Sequence, residues 1–230
     1  MKTIGMLGGM SWESTLEYYK IMNEGVKEKL GGLHSAKILL YSFDFEDIEI
    51  LQHQQRWDLL EPMLIERAKR LEEAGADMIV LCTNTMHKMA NALEANLSIP
   101  LVHIADVTAE KIKEQRIHLV ALLGTRFTME GDFYKKRLEE RYNIRTIIPD
   151  EEDRQIIHNV IYNELCHGDI KESSRTEFLR IIDILLLRGA EGVILGCTEI
   201  PLLIKQRDVT VPLFDTTKIH ARAAVNRALE

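Results

Sequence analysis

Apolar and polar positions divide the chain into two kinds of segment. Short apolar runs, such as residues 193–195, are too short for helices and are typical of buried strands. Longer segments, such as residues 59–73, place their apolar side chains at helical spacing. The predicted strands cover residues 2–7, 38–43, 78–81, 101–104, 118–123, 145–148, 193–195 and 211–214. The predicted helices cover residues 11–31, 59–73, 86–97, 105–114, 129–142, 150–167, 173–187 and 216–229, and residues 45–57 read as a polar, helix-prone connector. This alternation predicts an α/β fold with parallel sheets and right-handed crossovers.

The same pattern occurs twice along the chain. Residues 75–85 align without a gap with residues 189–199, which places Thr83 on Cys197 and Cys82 on Gly196. Two further pairs of segments repeat in the same order at nearly equal offsets: 4–8 with 120–124, and 99–102 with 211–214. We therefore expect two pseudosymmetric, flavodoxin-like lobes that face each other across a cleft, with the active site in that cleft. The predicted lobes are residues 1–98 with 208–230, and residues 99–207.

The second copy of the motif carries a thiol at the end of a strand. Cys197 lies between Gly196 and Thr198, where a buried strand stops and a helix is expected to begin. Open parallel sheets bind ligands at this edge, and the amino terminus of a helix lowers the pKa of a thiol. A free cysteine is more often a small buried apolar residue. The duplicated context favours a functional role for Cys197.

Other kinds of site fit the sequence less well. Cys82 with His87, and Cys166 with His167, lack the paired spacing of zinc ligands, so no metal is expected. The glycines of residues 5–9 lack the spacing of a dinucleotide-binding loop, although they allow backbone N–H groups to approach an anionic ligand closely. His87 is a candidate for acidifying the site near the first motif.

Composition and charge narrow the class of protein further. The net charge of −7 argues against nucleic acid or an anionic membrane as the main partner. We expect neither a signal peptide nor a membrane span, because residues 1–4 lead into a short strand and no apolar run is long enough to cross a membrane. Three cysteines, an odd number, fit a reducing compartment better than a disulfide scaffold, so a cytoplasmic location is expected.

The two motifs, residues 80–87 and 193–201, resemble the paired signatures of the aspartate/glutamate racemase family. Residues 8–13 and 123–125 resemble the other strand exits of that family, and the likeness covers essentially the whole chain. The resemblance implies a cofactor-independent amino-acid racemase. In that family each of two lobes supplies one proton donor and acceptor, and the substrate lies between them. The resemblance also implies a homodimer.

The first motif departs from the family in one respect. The family usually has Cys-Asn-Thr there, whereas this chain has Thr83 directly before Asn84 and Thr85, with Cys82 one residue earlier. Either Thr83 takes the catalytic position, as the gapless repeat indicates, or a one-residue bulge brings Cys82 into it. Cys197 is its partner from the second lobe. The resemblance implies substrate contacts from Met10, Ser11, Gln52, Asn84, Thr85, Thr125, Thr198 and Glu199. Arg56 and Arg126 are candidates for holding a side-chain carboxylate.

The function expected from this reading is racemisation of aspartate or glutamate without pyridoxal phosphate. By family analogy Cys197 acts on the L-enantiomer, and Thr83 or Cys82 acts on the opposite face of Cα. A thiol has an ordinary pKa of about 8.5, which helix termini and nearby donors are expected to bring toward neutrality. The alternatives are a related carbanion enzyme, of the hydantoin racemase or arylmalonate decarboxylase type, and a non-catalytic amino-acid-binding protein.

Overall fold

A computed structural model describes residues 1–230 and contains two compact units. The first comprises Met1–Ile104 with His220–Glu230, and the second comprises Ala105–Ile219. Each unit contains one four-stranded, fully parallel sheet with helices between its strands. These two sheets confirm the predicted α/β fold class.

The sheet of the first unit is formed by β1 (Ile4–Gly8), β2 (Ile38–Ser42), β3 (Met78–Leu81) and β4 (Leu101–Val102). Its strand order is β2-β1-β3-β4, as in flavodoxin-like folds. All residues of β1 and β3 are buried, as their unbroken apolar runs predict for central strands. The helices of this unit are α1 (Trp12–Leu30), α2 (Phe45–His53), α3 (Trp57–Glu73) and α4 (Ala90–Asn96), and a 3₁₀ turn, Thr85–Met89, precedes α4.

Local sequence signals set the ends of the first helices. Ser11 caps α1, since its Oγ accepts the backbone N–H of Ser14 at 3.3 Å. The helix ends at Gly31, whose φ of 73° is readily adopted only by glycine. The apolar stripe of α3 is buried in the core of the first unit, as its spacing predicts: Leu60, Leu64, Ala68 and Leu71.

The sheet of the second unit is formed by β5 (Leu119–Gly124), β6 (Arg145–Ile147), β7 (Val193–Gly196) and β8 (Leu213–Asp215). Its order, β6-β5-β7-β8, repeats that of the first sheet. The remaining helices are α5 (Ile104–Glu114), α6 (Arg126–Glu130), α7 (Asp132–Tyr142), α8 (Glu151–Asn163), α9 (Glu172–Leu187), α10 (Ile200–Leu203) and α11 (Thr216–Leu229). Short 3₁₀ turns lie at Leu165–His167 and Gln206–Asp208.

Three elements differ from the sequence-based expectation. The polar connector folds into α2, whose first turn is capped by Asp44 through a 3.2 Å bond from the N–H of Glu46. The helix expected over residues 129–142 is divided at Gly131, which has extended backbone and separates α6 from α7. The helix after Cys197 is only four residues long.

The compact units also differ from the lobe boundaries predicted at residues 98 and 208. β4 is hydrogen-bonded to β3, so it belongs with the first unit. β8 is paired with β7, and the chain up to Ile219 therefore belongs with the second unit. Strand pairing rather than the position of the repeat decides these boundaries.

Two further findings concern the kind of protein. None of the helices combines the length and apolar character that crossing a membrane requires. No group of three or more histidine, cysteine, aspartate or glutamate side chains is placed to hold a metal ion. The cytoplasmic location stays a prediction.

His220 on α11 is buried in the core of the first unit. Its Nδ1 accepts the hydroxyl of Tyr18 at 2.9 Å, and its Nε2 donates to the carbonyl of Val102 at 2.6 Å. The carbonyl of Val102 can only accept, so Nε2 carries a proton, and the lowered pKa of the ring leaves Nδ1 unprotonated as the acceptor for the hydroxyl of Tyr18. Burial lowers the pKa of His220 to about 4. The other titratable groups around the ring are His87, at 5.7 Å between ring centroids, and Arg227.

Acidification is expected to destabilise the first unit through His220. An unfolded histidine binds its proton near pH 6.5, whereas His220 resists protonation until about pH 4. The free energy of unfolding therefore falls as the pH decreases between these values, by about 3 kcal/mol in total. Urea unfolding across this pH range should show this loss, and His220→Gln should remove it. His34→Gln, at an exposed histidine, is the control. Equal pH dependence in His220→Gln and the parent would contradict the assignment.

Candidate active site

The turn after β1 is formed by closely packed backbone. Gly9 has a φ of 85°, and its N–H donates to Oγ1 of Thr15 at 2.8 Å. A Cβ at Gly9 would collide with the backbone of Phe43, so only glycine fits there. The turn buries Met10 and Ser11 at the carboxyl end of the sheet, directly before α1.

Cys82 continues the ladder of β3. Its N–H donates to the carbonyl of Leu7 at 2.9 Å, and its Sγ lies 3.8 Å from the carbonyl oxygen of Val80. The side chain is fully buried, and burial raises the pKa of this thiol well above its usual range. No bulge interrupts the ladder before Cys82, and the raised pKa keeps its buried thiol neutral.

Thr83, Asn84 and Thr85 follow the end of that ladder. The N–H of Thr83 turns back to the carbonyl of Leu81 at 2.8 Å, and 8% of Thr83 is exposed, against none of Cys82. Asn84 and Thr85 are also buried. The chain direction therefore changes at Thr83, where the strand ends.

Gln52 reaches the same region from α2. Its side-chain amide donates toward Sδ of Met86 at 3.1 Å, and Met86 lies in the 3₁₀ turn that follows β3. Gln52 is buried although it is polar. The structure thus brings this predicted site residue next to the first motif.

In the second unit, the carboxylate of Glu199 accepts hydrogen bonds from a thiol and a hydroxyl of the second motif. One oxygen of its carboxylate, Oε2, accepts from Sγ of Cys197 at 2.9 Å and from Oγ1 of Thr198 at 2.7 Å. Glu199 is buried, and Cys197 is 8% exposed. A carboxylate at this distance can accept the proton of the thiol.

The pKa of Cys197 is raised, not lowered. Burial raises it most, and the negative charge of Glu199 raises it further. The prediction of a lowered pKa is wrong, because burial and the charge of Glu199 outweigh the lowering effect of the backbone N–H of Glu199. Cys197 therefore needs a proton acceptor beside it to act as a base.

The neighbouring strand exit contains Thr125. Its Oγ1 accepts the N–H of Thr128 at 3.3 Å and caps α6. Gly124 directly before it pairs with Gly196, and a Cβ on Gly124 would lie 2.8 Å from the carbonyl oxygen of Gly196. The two glycines bring the exits of β5 and β7 close together, with Thr125 and Cys197 directly after them.

The registers of the two sheets can be compared residue by residue. Each sheet pairs a leucine of its first central strand with a leucine of its second: Leu7 with Leu81, and Leu123 with Leu195. Counted from these pairs, Thr83 and Cys197 each lie two residues beyond the second leucine. Cys82 instead corresponds to Gly196. The registers agree with the gapless repeat.

The two candidate cations each have a carboxylate partner. Arg56 forms a two-pronged bond with exposed Asp58 at 2.9 and 2.8 Å. Arg126 is exposed at the start of α6, 3.4 Å from a carboxylate oxygen of Glu130. Their role in holding a substrate carboxylate stays a prediction.

His87 does not have the acidifying role considered from the sequence. Its Nδ1 lies 2.7 Å from the carbonyl oxygen of Thr83, and its Nε2 accepts the N–H of Ile104 at 3.2 Å. These bonds make the ring neutral. The only sequence signal for the first contact is the spacing of four residues between Thr83 and His87.

The family of this chain is decided by a comparison of nearly its whole length with models of known protein families. The family model described as Asp/Glu/Hydantoin racemase matches residues 7–224. The chain belongs to the Asp/Glu/hydantoin racemase family. The motif resemblance seen in the sequence is thereby confirmed.

Individual relatives of this racemase family span the full chain. The broad specificity amino-acid racemase RacX of Bacillus subtilis is 23% identical, with 98% of each chain covered. A solved structure from Yersinia pestis, described as a candidate Asp/Glu racemase, is 53% identical with a TM-score of 0.94 and full coverage of both chains. The structure of an aspartate racemase homologue from Pyrococcus horikoshii is 39% identical with a TM-score of 0.86, again with full coverage.

Proposed function

We propose that this chain racemises a small acidic amino acid, aspartate or glutamate, without pyridoxal phosphate. Membership of the racemase family and the names of its relatives support an amino-acid racemase. The observation that carries the proposal further is the matching position of Thr83 and Cys197 at equivalent strand exits. In this proposal they are the two acid/base groups.

The proposed reaction begins at Cys197. Its thiol proton passes to the carboxylate of Glu199, 2.9 Å away, and the resulting thiolate removes the α-proton of the L-substrate. The electron pair of the Cα–H bond remains on the substrate as a carbanion, which is delocalised into the substrate carboxylate. Backbone N–H groups and hydroxyls at the strand exits stabilise that charge.

The second half of the reaction uses the opposite face of Cα. The hydroxyl of Thr83 gives its proton to Cα, which forms the D-enantiomer, and the resulting alkoxide takes a proton from water. The hydroxide so formed is neutralised by the proton that Glu199 accepted from Cys197, so all three side chains return to their starting protonation. A hydroxyl is a far weaker base than a thiolate, so the reverse removal of a proton by Thr83 is slow. Met10, Ser11, Gln52, Asn84, Thr85, Thr125 and Thr198 are proposed to hold the carboxylate and amino groups of the substrate.

Deuterium exchange at Cα tests the proposal. Protein stripped of cofactors and metals is incubated in D₂O with L-aspartate or L-glutamate, and incorporation at Cα is followed by NMR. We expect exchange in the parent and in Cys166→Ser, a change at the half-buried third cysteine. No exchange with any acidic or small polar amino acid would contradict the proposal.

A panel of substrates and a ligand-binding measurement separate the alternative functions. A hydantoin or arylmalonate substrate that turns over faster than either amino acid would favour the related carbanion enzymes. An amino-acid-binding protein would instead bind ligand without turnover in the parent, and binding would survive Cys197→Ala.

We also propose that the protein is a homodimer, as the family resemblance implies. Light scattering at micromolar concentrations should give twice the mass of one chain. A monomeric mass throughout this concentration range would contradict it.

A further inference from the structure

Three buried histidines lie together beneath the exits of β3 and β4. His87, His103 and His220 are each at most 3% exposed. The ring centroids of His87 and His103 are 4.7 Å apart, and those of His87 and His220 are 5.7 Å apart. Burial of three imidazoles is unusual unless each is held neutral by defined partners.

The hydrogen bonds of His87 fix both its tautomer and its orientation. A carbonyl oxygen can only accept, so Nδ1 of His87 carries the proton that it donates to Thr83 at 2.7 Å. A backbone N–H can only donate, so Nε2 is the acceptor for Ile104 at 3.2 Å. The ring therefore connects the chain just after β3 to the chain just after β4.

The second unit has no histidine at the position that corresponds to His87. The gapless repeat places Pro201 where the first unit has His87, and proline has no side-chain donor. The carbonyl of Cys197 instead accepts the backbone N–H of Ile200 at 3.3 Å. In the first unit the corresponding turn is displaced by one residue, since the N–H of His87 bonds to Asn84 at 3.1 Å. The carbonyl of Thr83 is thus held by an imidazole.

We infer that His87 is a positioning residue for Thr83: its Nδ1–H fixes the peptide that carries the Thr83 side chain beyond the end of the strand. This inference rests on the proposed function of Thr83. Thr83 has left the ladder of β3, so the orientation of its hydroxyl depends on that peptide. A displacement of about 1 Å at a reacting group can cost ~10²-fold in rate.

Two substitutions separate the two bonds of His87. In His87→Asn the side-chain amide nitrogen takes the place of Nδ1 and keeps the donor to Thr83. In His87→Gln the amide reaches the place of Nε2, keeps an acceptor for Ile104 and loses the donor to Thr83. His87→Asn is therefore the matched control for His87→Gln.

The test measures two rates in D₂O with L-aspartate: deuterium entry into the L-enantiomer, and formation of D-aspartate. His87→Gln should lower D-aspartate formation about 10²-fold, through kcat rather than KM, while exchange in the L-enantiomer persists. Thr83→Ala should behave in the same way, and His87→Asn should retain both rates. Equal loss of exchange and inversion in His87→Gln, or loss of inversion in His87→Asn, would overturn the inference.

A measurement on the unmodified protein tests the tautomer of His87 independently of these variants. The ¹⁵N NMR signals of the His87 ring should report a neutral imidazole protonated at Nδ1. Protonation at Nε2 would overturn the inference even where His87→Gln does not fold. Absence of exchange in the parent would overturn the proposed function, and with it the role of His87 in turnover, whereas the ring signals would still test the bond to Thr83.

Discussion

Replacing Cys197 by serine should abolish deuterium exchange from L-aspartate and L-glutamate. A hydroxyl is a far weaker acid than a thiol, so the carboxylate of Glu199 can no longer generate a useful base beside it. A positioned general base contributes about 10² to 10⁴-fold to a rate, and we expect a loss at least in this range. NMR detection of Cα exchange measures it, with Cys166→Ser as the control.

Substitution of Thr83 in the first motif should change turnover of the D-enantiomer, whereas Cys197→Ser acts on the L-enantiomer. The parent should deprotonate L-substrate readily and D-substrate poorly, because Thr83 rarely forms an alkoxide. Thr83→Cys should raise turnover of the D-enantiomer. Cys82→Ala should leave exchange from the L-enantiomer largely intact, since the thiol of Cys82 is buried within the strand ladder. The equilibrium ratio of the enantiomers stays at one, so the asymmetry must appear in the initial rates or in KM.

A single outcome would reverse the assignment in the first motif. If the parent handles both enantiomers equally fast and Cys82→Ala destroys turnover of the D-enantiomer alone, then Cys82 is the second acid/base. The register of β3, which pairs Leu81 with Leu7 and continues to Cys82 without a bulge, argues for Thr83.

Replacing Glu199 by glutamine should make the thiol of Cys197 more acidic and the enzyme slower. Burial is the main cause of the raised pKa of Cys197, and the charge of Glu199 is the next. Removing that charge lowers the pKa, so alkylation of Cys197 by iodoacetamide at neutral pH should become faster. Turnover should nevertheless fall by about 10² to 10⁴-fold, because the neutral amide accepts no proton from the thiol.

Mass spectrometry of the alkylated peptide and the exchange assay measure these two effects on one preparation. Thr198→Val is the matched variant, since it removes the other hydrogen bond to Oε2 and leaves the carboxylate in place. It should change alkylation much less than Glu199→Gln does. Faster alkylation together with faster turnover in Glu199→Gln would show that Glu199 is not the proton acceptor.

Periodicity in the sequence was sufficient for the fold class and for the four central strand exits. Unbroken apolar runs mark β1, β3, β5 and β7, and each ends at glycine or at the residues of a motif. The direction of the pKa shift of Cys197 was not predictable in this way. It depends mainly on burial by the surrounding core, and then on how closely the carboxylate of Glu199 approaches the thiol, and the strand pattern shows neither.

Contacts between separate segments also could not be predicted from the sequence pattern. The bond from His87 to Ile104 joins two strand exits that are far apart in the chain, and no local spacing signals it. The lobe boundaries failed for a related reason. The repeat shows where similar segments begin, whereas hydrogen bonding to β3 and β7 decides to which unit β4 and β8 belong.

The division of the chain has a consequence for the order of events on the ribosome. The second unit is a continuous insertion, residues 105–219, whereas the first unit needs residues from both sides of it. His220 fills the core beside Tyr18, and the carbonyl of Ala228 accepts the N–H of Lys2 at 2.8 Å. Because domains fold as units, residues 1–104 must wait for residues 220–230, which the ribosome adds only after the whole second unit. The side of the first unit that α11 covers is therefore exposed during translation until that helix emerges.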